Sequence, residues 1–169
     1  MKKLVFLFLI FSNFVVAQRS PNSFNWINGF KIQYSTVSEG WIADVVNEGK
    51  NTNPYNLIGG RATYMQYGWQ FETYYALGNH VKALSEWNVN LGAIFKGRYL
   101  FETSSCFVFR INDKFEFGSG LNWSYGGRKW MHTIGYIIDF NNNKFPVNLS
   151  YIPSEHGNRT SLSLGILLK

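Results

Sequence analysis

From Phe30 to Leu168 the chain alternates between aromatic or aliphatic side chains and small, amide or charged ones. Phe30, Ile32 and Tyr34 interleave with Lys31, Gln33 and Ser35, and Met65, Tyr67, Trp69, Phe71 and Tyr75 with Gln66, Gly68, Gln70 and Glu72. Further along, Trp87, Val89, Leu91 and Phe95 oppose Asn88, Asn90 and Gly92. Phe115, Phe117, Leu121 and Trp123 oppose Glu116, Gly118, Gly120 and Asn122, and Leu162, Leu164, Ile166 and Leu168 oppose Ser161, Ser163 and Gly165. A period of two marks strands with one apolar face, because successive side chains leave a pleated backbone on opposite sides. Helical spacing is essentially absent after residue 20.

The pattern predicts eight strands: Gly29–Val37, Thr63–Ala76, Glu86–Lys96, Tyr99–Ile111, Lys114–Trp123, Lys129–Phe140, Phe145–Ile152 and Thr160–Leu168. Gly78 and Asn79, Gly97, Asn112 and Asp113, Gly126 and Gly127, Asn141–Asn143, and Gly157 and Asn158 supply turn chemistry between them. The exception to short connections is Ser38–Ala62, a long polar stretch with room for a helical turn around Trp41–Val46. Long loops on a rigid scaffold are where binding residues concentrate.

No Asp, Glu, Lys or Arg falls on the apolar parity of these segments. A soluble lipocalin-like carrier would alternate too, with its apolar face lining a ligand cavity, so size has to decide the orientation. Aromatic residues make up 18% of the chain and most sit on the apolar parity. The interior of an eight-stranded barrel is only just wide enough for ordinary side chains. The Gly, Ser and Asn parity fits inside, and the rings do not. The expected fold is therefore all-β, an antiparallel up-and-down eight-stranded transmembrane β-barrel with a polar, filled lumen and an apolar outer belt.

Ahead of the strands, Lys2 and Lys3 precede the apolar run Leu4–Phe11 and the small-residue stretch ending at Ala17, the anatomy of a cleavable signal peptide. That run is far shorter than the roughly 20 apolar residues a spanning helix needs. The expected organisation is a signal peptide over 1–17, an N-terminal periplasmic segment over 18–28 and a β-barrel domain over 29–169, with the protein in the cell outer membrane. The formal net charge of +6 is scattered along the chain, unlike a nucleic-acid face with clustered cations and interleaved aromatics. Cys106 is the single cysteine and makes no disulfide framework.

Inward parity gives Lys31, Glu72, Lys96, Glu102, Arg110, Lys114, Glu116 and Asp139 as a lumen charge network. Charges in a narrow low-dielectric passage must pair or be hydrated, so these side chains are expected to plug the barrel. On the long loop, Trp41, Asp44, Glu48 and Tyr55 are binding candidates for a surface ligand, able to stack and hydrogen-bond. The histidines His80, His132 and His156 are too dispersed for a metal site, and no cofactor is expected. Ser154, Glu155 and His156 are adjacent on one loop, but adjacent residues rarely reach the geometry of nucleophile, base and orienting group.

The region after residue 17 resembles the small eight-stranded outer-membrane β-barrels, and several stretches resemble an uncharacterised Bacteroidota outer-membrane barrel family. The resemblance is carried by Tyr67–Thr73 (YGWQFET), Phe115–Gly120 (FEFGSG), Phe145–Ser154 (FPVNLSYIPS) and Gly157–Gly165 (GNRTSLSLG). It implies fold and location, with outer-membrane lipid as surroundings, and no particular activity. The leading expectation is a monomeric barrel with a structural or surface-binding role, not a general porin. The alternatives are a lipid-modifying enzyme similar to lipid A deacylases, or a soluble lipocalin-like carrier of an apolar ligand.

Overall fold

The computed structural model describes residues 25–38, 43, 44, 46, 62–95, 98–124, 126–141, 143–155 and 157–168. Eight strands follow in chain order: β1 (Asn25–Val37), β2 (Ala62–Ala76), β3 (Val81–Phe95), β4 (Arg98–Ile111), β5 (Phe115–Ser124), β6 (Gly127–Phe140), β7 (Asn143–Ile152) and β8 (Arg159–Leu168). Each pairs antiparallel with its sequence neighbours, and β8 closes on β1. Closure leaves no strand edge to be satisfied from outside, which a bilayer requires of any spanning sheet. Among the described residues no helix is long and apolar enough to cross a membrane.

Every expected strand is present, with differences at the ends. β1 begins at Asn25, ahead of the expected Gly29, and β3 begins at Val81, ahead of the expected Glu86. The extra turn-side length of β3 escaped the pattern because Leu84 occupies an inward position and breaks the polar parity. Its ladder to β4 is nonetheless continuous from Val81↔Ile111 to Gly92↔Leu100, with one register shift between Gly92 and Phe95.

The strands are tilted. A circuit along the ladder partners from Trp26 runs through Thr73, Ser85, Phe107, Ser119, His132, Tyr151 and Thr160, and returns to β1 at Thr36 instead of its starting point. Each step to the next strand therefore climbs by slightly more than one residue, the stagger that a closed tilted barrel requires.

The two faces divide as their chemistry demands. Outward, Leu164 is 54% exposed and Trp130 61%, while inward Gln66, Glu72 and Asn122 retain 1% or less. The outer surface carries aromatic pairs, among them Phe30 with Tyr67 and Phe115 with Tyr136. An apolar belt this large is incompatible with water on all sides and matches a lipid-facing wall. The lipocalin-like reading requires the aromatic parity inside. The structure puts most of it outside, because the narrow bore has no room for so many rings.

One end of the barrel carries tight turns. Asn112 (φ 52°) and Asp113 (φ 58°) form a two-residue hairpin turn closed by Lys114 N–H donating to the Ile111 carbonyl. The other end carries the long connections. There Asn158 accepts at its carbonyl from Ser38 N–H (2.9 Å) and donates its own N–H to the Ser38 hydroxyl (2.8 Å).

Candidate functional site

The lumen is a stack of polar clusters. Nearest the turn end, Arg110 from β4 donates to Glu72 of β2 (2.6 Å) and to Glu116 of β5 (2.7 Å), and Gln70 donates to the other oxygen of Glu72 (2.7 Å). A guanidinium presents its donors in a rigid fork, so one Arg can bind two carboxylates at once. Antiparallel pairing makes this possible, since Arg110↔Glu116 are ladder partners across the β4–β5 turn.

In the middle, the Lys31 ammonium donates to Asn88 Oδ1 (2.8 Å), and the Asn88 amide donates onward to Glu86 (2.7 Å) and Ser104 (3.3 Å). Toward the loop end, Gln33 donates to Gln66 (3.1 Å), and Ser35 shares a hydrogen bond with Ser161 (2.8 Å). At the loop end, Arg159 pairs with Glu102 (3.1 Å) and donates to Asn122 (2.6 Å) and the Tyr64 hydroxyl (3.2 Å), while Asn122 donates back to Glu102 (2.7 Å). Above that lies an apolar lid in which Val37, Ala43, Val46, Ala62 and Tyr64 are buried together, with Leu100 packed against them.

The inward face is not uniformly polar. Leu84, Cys106, Val108, Met131 and Ile152 are buried as one cluster inside the barrel, with Tyr74 against it. Cys106 packs there as a small hydrophobe.

Of the expected lumen charges, Lys31, Glu72, Glu102, Arg110 and Glu116 are buried. Lys114 and Asp139 are exposed and belong to the turn-end rim. Lys114 occupies the β4–β5 turn, where strand parity has no meaning, and Asp139 is one residue from the end of β6, where the wall stops. Lys96 lies outside the described residues.

Two charged members were absent from the expected network. Glu86 shares the even-numbered parity of Asn88 and Asn90, a signal present in the sequence. Arg159 lies one residue ahead of the expected strand Thr160–Leu168, and the start of β8 at Arg159 turns it inward. Of the loop candidates, Asp44 is exposed on a helical turn with Ala43 and Val46, whereas Trp41, Glu48 and Tyr55 lie outside the described residues. Glu155 is exposed, His156 lies outside the described residues, and His132 is on the outer wall, bonded through Nδ1 to Ser119 (3.0 Å).

The lumen is narrow at mid-height and open at the turn end. A void in mid-lumen, lined by Lys31, Glu86, Asn88 and Ser104 among others, has a volume of about 10 Å³ and holds at most about one water. At the turn end a vestibule of about 450 Å³ opens between Ile27, Tyr74, Lys82, Lys144 and Leu168 and reaches Arg110.

A closed barrel with lipid-facing rings and a packed ionic lumen defines the class of eight-stranded transmembrane β-barrels. Among solved structures the chain is similar to Ail, the attachment invasion locus protein of Yersinia pestis, at 12% identity and a TM-score of 0.48, covering 83% of this chain and 96% of that one. It is similar to Ail in complex with the heparin analogue sucrose octasulfate at 10% identity and a TM-score of 0.45, covering 85% and 97%. A de novo designed transmembrane β-barrel gives 10% identity and a TM-score of 0.33, covering 83% and 96%. No protein-family model matches the chain, and no curated protein matches it.

Proposed function

We propose that the chain is an outer-membrane barrel that holds loops at the cell surface, acting as a structural or surface-binding protein and not as a general porin. The observation that carries this reading is the filled lumen. Arg110, Glu72 and Glu116 fill one end and Arg159, Glu102 and Asn122 the other, and the void beside Lys31, Glu86 and Asn88 between them has room for about one water. Each polar side chain in these clusters is held by others, so moving one aside exposes an uncompensated buried charge.

In this reading residues 1–17 direct export and residues 18–28 begin in the periplasm, with the tight turns on that side. The connection over 38–62 then faces outward, with Trp41, Asp44, Glu48 and Tyr55 as its ligand-binding candidates. The buried pair Ala43 and Val46 supports this, because it seats part of the connection on the barrel mouth beside Val37 and Tyr64. The Bacteroidota resemblance rests on the YGWQFET, FEFGSG, FPVNLSYIPS and GNRTSLSLG stretches.

Two measurements test the proposal. Fractionation of the host, followed by an unboiled against boiled gel of the membrane pellet, is expected to give outer-membrane recovery and a mobility shift. In planar bilayers the purified chain is expected to show no appreciable conductance. Recovery as a soluble periplasmic species, or a steady ion-conducting state, overturns the reading.

A further inference from the structure

The lipid-facing wall is chemically lopsided. On β7, β8, β1 and β2 its middle is apolar, with Leu149, Leu162, Leu164, Ile32, Tyr67 and Trp69. On β4 to β6 the outward parity at that depth instead carries Thr103, Ser105, Ser119 and His132. Polar side chains facing hydrocarbon are costly, and an ionisable one marks a functional position.

Most of these groups are satisfied within the wall. Thr103 donates to the Asn88 carbonyl (2.9 Å). Ser119 donates its one hydroxyl proton to the Met131 carbonyl (3.1 Å), so its bond with His132 is donated by Nδ1–H. That tautomer leaves His132 Nε2 a bare acceptor facing outward. Ser105 supplies the complementary group, since its hydroxyl has no hydrogen-bond partner among the described residues.

The register places these two open groups level with each other on either side of β5. Ser105 pairs with Leu121 and Leu121 with Trp130. The ladder climbs by slightly more than one residue per strand, so the β6 residue level with Ser105 is the next outward residue below Trp130, which is His132. A twofold axis along the membrane normal, beside β5, preserves height and exchanges the flanks. It sets Ser105 of each copy opposite His132 of the other.

We infer that the β4–β6 wall is a lateral interface for a second copy of this chain, joined by two symmetric Ser105 O–H to His132 Nε2 hydrogen bonds with the small Ser119 between them. This departs from the monomer expected from the sequence. Lipid removes the hydrophobic drive for association, which is why small and polar residues mark membrane interfaces. The isologous arrangement is the commonest one for identical chains.

The test is disulfide cross-linking of the full chain in phospholipid vesicles, in a Cys106→Ser background. Leu121→Cys on β5 is expected to give a covalent dimer on oxidation, and Leu164→Cys on the opposite wall is not. Adding Ser105→Ala with His132→Leu is expected to lower the dimer yield roughly tenfold, at about threefold per hydrogen bond in a membrane. Equal cross-linking at both cysteines, or a yield indifferent to the double substitution, overturns the inference. Photobleaching-step counts of the wild-type chain in bilayers give an independent readout: two steps are expected, and single steps throughout overturn it.

Discussion

Arg110 on β4 donates to Glu72 on β2 at 2.6 Å, and neither side chain keeps more than 2% exposure. The same guanidinium holds Glu116, so two carboxylates depend on one cation. Arg110→Met is therefore expected to destabilise the barrel by about 3–5 kcal/mol, the usual cost of leaving a buried charge unpaired. Replacing all three residues with apolar ones of similar volume is expected to recover much of that loss. Urea titration of folding into vesicles, followed by gel mobility, measures both. A single variant as stable as the triple one would show that water reaches the cluster.

At the turn-end rim, Lys82 and Asp113 meet at 2.5 Å with partly exposed side chains. The hydrogen bond from the Lys82 ammonium holds the Asp113 carboxyl below its usual value. A carboxyl depressed in the folded state contributes stability above its unfolded pKa of about 3.9, and that contribution fades as pH falls through the folded value. Asp113→Asn is expected to lower the urea midpoint slightly at pH 7 and to leave it unchanged near pH 2. Asn tolerates the positive φ of this turn, so the comparison isolates charge from backbone strain.

The fold was legible because the bilayer imposes one rule on every strand: the Phe30/Lys31 and Phe115/Glu116 alternation records which side faces lipid. Strand ends were less legible, because the rule lapses where the wall meets water, as at Lys114 and Asp139. Arg159 was hidden by a one-residue difference in where β8 starts. Leu84, Val108 and Ile152 show why parity alone cannot specify the lumen, since a packed interior takes apolar side chains as well. The Ser105 and His132 relationship depends on stagger between strands, which no single strand's pattern carries.

Close approach across the β4–β5 ladder requires glycine at position 120. A Cβ there would run into the Ser105 carbonyl and the Cys106 Cα, both backbone atoms that cannot rotate aside. Gly120→Ala is expected to cost about 1–3 kcal/mol, as overpacking usually does. Gly78→Ala, in the β2–β3 turn with open space around its Cβ, is expected to be within about 0.5 kcal/mol of wild type. The same vesicle titration ranks them, and equal midpoints would mean that β4 and β5 can part at that level.

The lipid-facing assignment has its own thermodynamic signature. Leu164 on β8 pairs with Ile32 and Val147 well inside the apolar belt and is 54% exposed. At the surface of a water-soluble barrel, Leu164→Arg would change stability by no more than about 0.5 kcal/mol. Against hydrocarbon it is expected to cost about 2–4 kcal/mol, falling toward zero for positions near the rims such as Leu168. Measuring both substitutions in vesicles gives the depth profile directly. A flat profile would put water on that wall, whereas a peak at Leu164 that decays toward Leu168 is what a bilayer centred on the belt produces.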